Sequence, residues 1–180
     1  MKQTIMYCHG RGSSGRGSKA TIIMNHFDQC NFVGNDYPTN DPIQPAADKP
    51  MPVPLHEMKE FWRYVQILKG DIAIHNPDVV VASSFGGAAL LRVILEGGWS
   101  GPTVFLAQAG HKFAVSESLP KGHKAIFIHG LQDETVEFKG SEALAATSNN
   151  AHLISVTDGH RLKADESREA YLAAITELLN

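Results

Sequence analysis

Ser84 stands where a run of β-branched apolar residues gives way to serine and glycine. The run Val79–Ser83 favours a buried strand and the stretch from Phe85 favours a helix, so Ser84 is predicted to lie in the sharp turn between them. Small residues stand two positions before and after it, Ala82 and Gly86. This matches the G-x-S-x-G pattern, in which small flanking residues let the backbone bend tightly enough to expose a nucleophilic hydroxyl.

Ser83 is the neighbouring candidate for the nucleophile. Its flanks at the same spacing are Val81 and Phe85, and both are too large for so tight a bend. We therefore expect Ser83 to end the strand and Ser84 to carry the chemistry.

A nucleophilic serine needs a histidine to take its proton and an acid to orient that histidine. Asp133 follows a predicted strand at residues 124–129, and His160 follows another at 152–156. Because ligands collect at the carboxyl ends of parallel strands, Ser84, Asp133 and His160 are predicted to meet there. Each alone has a simpler interpretation, since such residues commonly cap helices or line turns. Together they form a candidate catalytic triad in the order Ser, Asp, His.

The glycine-rich segment 9–19 allows several interpretations. Three of its glycines fit G-x-G-x-x-G, with Asp36 where a ribose-binding acid would stand: Gly10, Gly12 and Gly15. That pattern is typical of dinucleotide binding. A P-loop is excluded because Ser18-Lys19 reverses the required Lys-Ser order. A His-Gly pair after a strand can instead supply an oxyanion-hole donor, here the backbone N–H of Arg11. A flexible basic turn is the simplest alternative.

Other polar residues near these loops are candidates for the pocket. His9, Gly10, Tyr37 and His111 stand at or just after the ends of predicted strands and are the candidates to line it. His9 is expected to pack beside the site as a structural group, and a solvated loop histidine is the alternative for His111. The cations of the glycine-rich segment are best interpreted as a solvated basic face; attraction of an acidic leaving group, such as a phosphorylated thiol carrier, is the alternative. These cations are Arg11, Arg16 and Lys19.

Strand and helix alternate along the whole chain, which predicts a parallel sheet covered by helices in three layers. Strands are predicted at residues 4–8, 31–37, 79–83, 103–108, 124–129 and 152–156. Helices are predicted at residues 18–29, 54–75, 85–96, 141–147 and 165–179, with mostly loop at 111–121. Residues 38–54 contain six of the nine prolines and are predicted to form a long loop that could serve as a lid.

Composition narrows the class of protein. The chain has 180 residues, 43% of them hydrophobic, and residues 1–180 are expected to form one domain. A net charge of −3 gives no support to nucleic-acid binding. Apolar runs are too short to span a bilayer and the N-terminus lacks a signal peptide, so we expect a soluble, cytoplasmic protein without membrane contact. Cys8 and Cys30 lack metal-ligand spacing and are expected to be small core residues.

These motifs together resemble a small α/β hydrolase with little or no cap domain, similar to compact bacterial serine esterases. The resemblance extends over the whole chain and rests on Tyr7-Cys8-His9-Gly10, Ala82-Ser83-Ser84-Phe85-Gly86-Gly87, the segment from His129 to Val136, and Asp158-Gly159-His160. The one departure within the motifs is Ala82, where the commonest pattern has glycine.

The resemblance implies that Ser84 is the nucleophile, His160 the base and Asp133 the acid. It also implies an oxyanion hole made by the backbone N–H groups of Phe85 and Arg11. The antiparallel strands that usually begin this family are absent from the sequence, so the sheet is expected to have six parallel strands in the order 2-1-3-4-5-6.

The implied activity is hydrolysis of an ester or thioester of a small or medium acyl group, with no cofactor and no metal, and a homodimer remains open. A nucleotide-binding oxidoreductase of the NAD type, built on the glycine-rich loop, is the alternative. A hydrolase-like fold retained as a non-catalytic binding module is a third interpretation.

Overall fold

The computed structural model describes residues 2–39, 59–113, 115 and 118–180. It contains one sheet of six strands, all paired in parallel, in the order β2-β1-β3-β4-β5-β6. The strands are β1 Thr4–Cys8, β2 Asn31–Val33, β3 Val79–Ser83, β4 Thr103–Leu106, β5 Ala125–Gly130 and β6 Ala151–Val156. The predicted fold class and strand order are therefore confirmed.

Helices cover both faces of the sheet. Among the described residues they are α1 Ser18–His26, α2 Lys59–His75, α3 Phe85–Leu95, α4 Phe138–Ala145 and α5 Asp165–Leu179, with a 3₁₀ turn at His111–Phe113. Within the described residues, no helix is both long and apolar enough to cross a membrane.

The core consists of two apolar layers, one on each face of the sheet. Alternate residues of β3 point to opposite faces. Val79 and Val81 pack with the helices α1 and α5, whereas Val80 and Ala82 pack with α2, α3 and α4. All five residues of β3 are buried, as expected for a central strand covered on both sides. Of the two free cysteines, Cys8 is buried in this core and Cys30 is only partly buried.

Several elements are shorter than the sequence predicts. Helix α1 ends at His26 and β2 ends at Val33, four residues before the predicted end. Strand β2 stops because Gly34 turns to pack against Gly15, where an added Cβ would lie 2.2 Å from the Gly34 carbonyl oxygen. Strand β4 ends at Leu106 because the next residue, Ala107, has a φ of 46°.

Other bounds shift by a few residues. Helix α4 begins three residues before its predicted start, β5 is displaced by one residue, and β6 begins one residue early and ends at Val156 as predicted. The predicted lid at 38–54 lies almost entirely outside the described residues, as does the predicted first turn of α2 at 54–58.

The connections from β1 leave a crevice at the carboxyl edge of the sheet. Helix α1 follows β1 on one face, and α2 leads into β3 on the other face. Neighbouring strands whose helices lie on opposite faces leave such a crevice between their carboxyl ends, the usual position of a ligand site in open α/β sheets. The end of β1 and the start of α3 meet at this point.

Gly86 makes that meeting possible. A Cβ added there would lie 2.6 Å from the carbonyl oxygens of both Cys8 and His9 and 2.8 Å from the Cys8 carbonyl carbon. Since all three atoms belong to the backbone of β1 and the residue after it, they cannot move aside as the end of a flexible side chain could.

We therefore predict that Gly86→Ala destabilises the protein by about 1–3 kcal/mol, the usual cost of overpacking. Gly70→Ala is the matched control, because Gly70 lies in α2 with no atom within 4 Å of an added Cβ. Relief of the glycine penalty should stabilise it by about 0.5–1 kcal/mol. Urea denaturation of both variants measures the two effects, and an unaffected Gly86→Ala would contradict the close approach.

Candidate active site

Ser84 occupies a strained turn between β3 and α3. Its φ is 51° and its ψ −114°, a region that non-glycine residues rarely adopt and that costs of order 1–3 kcal/mol. The surrounding backbone fixes it. The Ser84 N–H donates to the Leu106 carbonyl at 2.9 Å, and its carbonyl accepts from the N–H groups of Ala88 and Ala109 at 3.1 Å. The hydroxyl is thereby presented at the carboxyl edge of the sheet.

His160 joins Ser84 to Asp133. Its Nε2 lies 3.0 Å from the Ser84 Oγ, and its Nδ1 lies 2.8 Å from the Asp133 Oδ2. An ionised carboxylate only accepts hydrogen bonds, so Nδ1 carries the proton toward Asp133. In the neutral ring, Nε2 is then free to accept the proton of the Ser84 hydroxyl. The structure thus brings together the three residues that the sequence singled out from three separate loops.

Asp133 is buried and fully engaged in hydrogen bonds. Its Oδ2 accepts from His160 and also from the His129 Nε2 at 3.1 Å, and its Oδ1 accepts from the N–H groups of Thr135 and Val136 at 2.8 Å. Burial alone would raise the pKa of this carboxyl, but the hydrogen bonds from the two histidines and two backbone groups outweigh it and hold the pKa below its usual value. Asp133 therefore stays ionised beside His160.

The lowered pKa also fixes the sign of the contribution of Asp133 to folding. The carboxyl binds a proton less readily in the folded protein than in the unfolded chain, where its pKa is about 3.9. Its stabilising effect is therefore present above that pH and is lost as the pH falls through the folded-state pKa.

A second histidine, His129, holds Asp133 from the opposite side. His129 lies within β5 and is fully buried. Its Nε2 faces the Asp133 Oδ2 and the Val136 carbonyl, both acceptors, so Nε2 is the donor. Its Nδ1 lies 2.7 Å from the Ser141 Oγ, which itself accepts from the Gln108 Nε2 at 3.2 Å. A buried chain of polar groups from the loop after β4, from α4 and from β5 thus supports the acid.

Sequence reasoning placed His129 at the end of a strand and gave it no role beside Asp133. The signal in the sequence that could have indicated this role is a histidine near the end of an otherwise apolar strand, four residues before Asp133.

His9 supports the glycine-rich loop. The Tyr37 N–H donates to its Nε2 at 2.9 Å, so Nδ1 carries the proton and donates to the Gly10 carbonyl at 2.9 Å. Burial lowers the pKa of His9, which favours this neutral form. Tyr64 donates its hydroxyl to the His9 carbonyl and stacks on Tyr37 at 4.2 Å. His9 and Tyr37 therefore lie behind the loop.

Gly10 brings the loop against Ser84. A Cβ added at Gly10 would lie 3.1 Å from the Ser84 Cβ and 3.8 Å from its Oγ. The side chain of the next residue, Arg11, turns toward α2, where its Nη2 lies 3.3 Å from the Glu60 Oε2. Its guanidinium also lies 5.9 Å from the centre of the Phe85 ring. The backbone of Arg11 is thereby fixed beside the Ser84 turn.

The side chain of Asp36 forms a hydrogen bond with the glycine-rich segment. Its Oδ1 accepts a hydrogen bond from the Gly15 N–H at 2.8 Å. The carboxylate that would bind ribose in the dinucleotide-binding interpretation thus connects the segment after β2 to the glycine-rich segment.

A cavity of about 330 Å³ opens beside Ser84 and His160. Gly10 and Arg11 form part of its wall, and Ser83 also reaches it from the end of β3. Among the described residues that line this cavity, His9, Tyr37 and His111 do not occur. His111 instead packs against α4, where its ring would clash with a Cβ at Gly140.

Within the described part of the chain, no group of three His, Cys, Asp or Glu side chains is placed to hold a metal ion.

Comparison with known proteins shows the fold. No protein-family model matches the sequence, and no curated protein matches it. Solved structures do. A protein of the alpha/beta superfamily from Xanthomonas campestris superposes with a TM-score of 0.76 at 19% identity over 99% of this chain and 98% of its own.

Two further structures agree. An esterase from Exiguobacterium antarcticum gives a TM-score of 0.72 at 12% identity over 98% of this chain and 91% of its own. The mouse alpha/beta hydrolase domain-containing protein 10 gives a TM-score of 0.70 at 14% identity over 98% of this chain and 89% of its own. The chain therefore has the fold of a compact α/β hydrolase, as the sequence motifs predicted.

We predict that the side chain of Asp133 remains ionised as the pH falls below about 3.9, the usual value. In His129→Leu, which removes one of its donors, the midpoint should rise, because fewer hydrogen bonds then oppose the effect of burial on this pKa. Ser141→Ala is the control: it leaves the Nε2–H of His129 in place and should shift the midpoint less. The chemical shift of the Asp133 carboxyl carbon, followed by NMR through a pH titration, measures the midpoint in the wild type and in both variants. A wild-type midpoint at or above the usual value contradicts the assignment.

Proposed function

We propose that this chain is a serine hydrolase that cleaves an ester or thioester of a small or medium acyl group through an acyl-enzyme on Ser84. The observation that carries the proposal is the hydrogen-bonded series from the Ser84 Oγ through His160 to Asp133, at the edge of the sheet where open α/β folds bind ligands. The strained backbone of Ser84 supports it, because such strain concentrates at functional sites.

In the first half of the reaction, the Ser84 Oγ attacks the acyl carbon while the His160 Nε2 takes the hydroxyl proton. The tetrahedral intermediate collapses when the bond to the leaving group breaks, and His160 returns the proton to the leaving oxygen or sulfur. In the second half, His160 takes a proton from water, and the resulting hydroxide attacks the acyl-enzyme to release the acid and restore Ser84.

Asp133 and His129 act through His160. The ionised Asp133 holds the Nδ1 proton of His160, directs Nε2 toward Ser84 and stabilises the positive charge that develops on the ring. His129 donates to the same oxygen of Asp133 from the buried side. We assign His129 as a positioning residue, since its contacts are with Asp133, Ser141 and Val136.

The proposed oxyanion hole consists of the backbone N–H groups of Phe85 and Arg11. Phe85 is the first residue of α3, where N–H groups point out of the helix and the helix dipole is positive. The Gly10 carbonyl accepts from His9 and from the Ser13 N–H. In a planar trans peptide, the N–H of Arg11 then points to the opposite side. Loss of one such donor costs about 3 kcal/mol of transition-state stabilisation.

The other interpretations of the sequence have less support. For a nucleotide-binding oxidoreductase, the carboxylate of Asp36 would have to bind ribose, yet it already accepts from Gly15. A binding module without activity gives no reason for an ordered series of Ser, His and Asp hydrogen bonds.

We predict that a fluorophosphonate probe modifies Ser84 in the folded protein. Ser84→Ala should abolish labelling and lower kcat for a para-nitrophenyl acyl ester by about 10⁴-fold or more. Ser83→Ala is the matched control one residue away and should keep both labelling and turnover. Peptide mapping of the labelled protein identifies the modified residue. Labelling that persists in Ser84→Ala, or disappears in Ser83→Ala, would be incompatible with the proposal.

A further inference from the structure

The wall of the cavity beside Ser84 is strongly basic. Lys19 reaches it from the first turn of α1, and Arg161 and Lys163 reach it from the loop that follows His160. None of these three cations forms an ion pair with any described residue. Three unpaired positive charges thus surround one opening that leads to the proposed nucleophile.

The acid in the loop that carries Arg161 and Lys163 is Asp158, and its hydrogen bonds are made within that loop and with the start of α5. The Oδ1 of Asp158 accepts from the Gly159 N–H, and its Oδ2 accepts from the Ala164 N–H and the Ser167 hydroxyl. Asp158 therefore serves to fold the loop that carries the cations. Burial lowers the pKa of Lys19 to about 8, an effect that Asp158 and Asp133 oppose and that Arg161 and Lys163 reinforce. No Asp or Glu is among the described residues that line the cavity, so positive charge predominates in its wall.

A second cavity of about 240 Å³ adjoins the first and shares Ser18, Lys19, Arg161 and Lys163 with it. It ends at Arg168 and Tyr171. Tyr171 is fully buried, and its hydroxyl oxygen has no hydrogen-bond partner among the described residues. Buried polar groups nearly always have a partner, so the unpaired hydroxyl of a residue that lines a cavity indicates a missing acceptor. Burial raises the pKa of Tyr171, so its hydroxyl stays protonated and able to donate.

A solvated basic face does not account for this arrangement. That interpretation suits Arg16, which lies outside both cavities with its Nη1 3.7 Å from the Met24 sulfur. Arg161 and Lys163 are exposed like Arg16, but both line the two cavities together with Lys19. A solvated face does not suit Lys19, which is partly buried, or the unpaired hydroxyl of Tyr171. With a formal net charge of −3 over the chain, the basic character is confined to a local site.

We propose that the two cavities form one anion-binding channel, which receives a carboxylate or phosphate group carried on the leaving group of the substrate. Lys19, Arg161 and Lys163 supply the charge, and the Tyr171 hydroxyl donates a hydrogen bond at the far end. The channel lies on the leaving-group side because His160 must deliver its proton to the leaving atom, and Arg161 and Lys163 lie in the loop after His160 and line the same cavity as His160. This assignment of the substrate rests on the proposed function of Ser84.

The kinetic test compares matched butyrate esters. One has para-hydroxybenzoate as its leaving group, one has para-hydroxybenzyl phosphate, and a neutral one has methyl para-hydroxybenzoate. We expect the wild-type protein to prefer at least one charged ester by about tenfold in kcat/KM, as charge complementarity provides. Lys163→Gln and Tyr171→Phe should each reduce that preference several-fold. The exposed Arg16→Gln is the control and should leave all three rates unchanged.

The size of the preference for phosphate over carboxylate identifies which anion the channel takes. Equal kcat/KM for the charged and neutral esters overturns the proposal. So does a preference that Lys163→Gln and Tyr171→Phe leave intact. A wild-type preference for a charged acyl group, measured with para-nitrophenyl hemisuccinate against para-nitrophenyl butyrate, overturns the leaving-group assignment.

A binding test separates the channel from the chemistry. Inorganic phosphate and phenyl phosphate should raise the Tm of Ser84→Ala, as ligands of the folded state do. Adding Tyr171→Phe should weaken this binding about fivefold without lowering the Tm of the free protein, because the hydroxyl it removes has no partner. Binding without any fluorophosphonate labelling of the wild type would reject the hydrolase and keep the anion site. Labelling and ester turnover without binding would reject the channel and keep the hydrolase.

Discussion

The hydrogen bonds around the Asp133 carboxylate join the elements on which the site depends. Both of its oxygens are occupied, one by two histidines and the other by two backbone N–H groups of its own loop. Through these bonds one buried charge fixes the loop after β5, the side chain of His129 within β5 and the loop after β6 that carries His160. A buried carboxylate is tolerated only when it is so completely hydrogen-bonded. The requirement for a satisfied charge and the requirement for an oriented base are therefore met by the same contacts.

Ser84 depends on a different constraint, the close approach of backbone segments. Gly86 lets the start of α3 pack against the end of β1, and Gly10 lets the glycine-rich loop pass beside Ser84. His9 then fixes the Gly10 peptide from behind through hydrogen bonds to the carbonyl of Gly10 and the N–H of Tyr37. The proposed oxyanion donors thus come from two backbone segments that can approach each other closely because Gly10 and Gly86 have no side chains. In the proposed channel, by contrast, Lys19, Arg161 and Lys163 bring like charges together in cavities whose described lining residues include no carboxylate, a local cost that an anionic ligand would offset.

Much of this arrangement could be predicted from the sequence because it depends on local patterns. Apolar runs and their alternation with helices define the six strands, and the small residues around Ser84 define its turn. Chain order then assigns Asp133 and His160 to the same edge of the sheet. His129 and Tyr171 were not predicted, because their importance depends on which side chains meet after folding, and a histidine in a strand or a tyrosine in an amphipathic helix resembles any core residue. The predicted end of β2 was wrong for the same reason, because the contact between Gly34 and Gly15 joins residues far apart in sequence and forms only on folding.

The central claim is that Ser84 carries the acyl group during turnover. The most direct measurement is mass spectrometry of the protein quenched in acid while it hydrolyses a para-nitrophenyl ester, followed by mapping of the modified peptide. The account predicts an acyl group of the mass of the substrate's acid on Ser84, formed in a burst with the release of nitrophenol and absent from Ser84→Ala. Turnover with no acylated Ser84, or acylation of another residue that persists in Ser84→Ala, would contradict it.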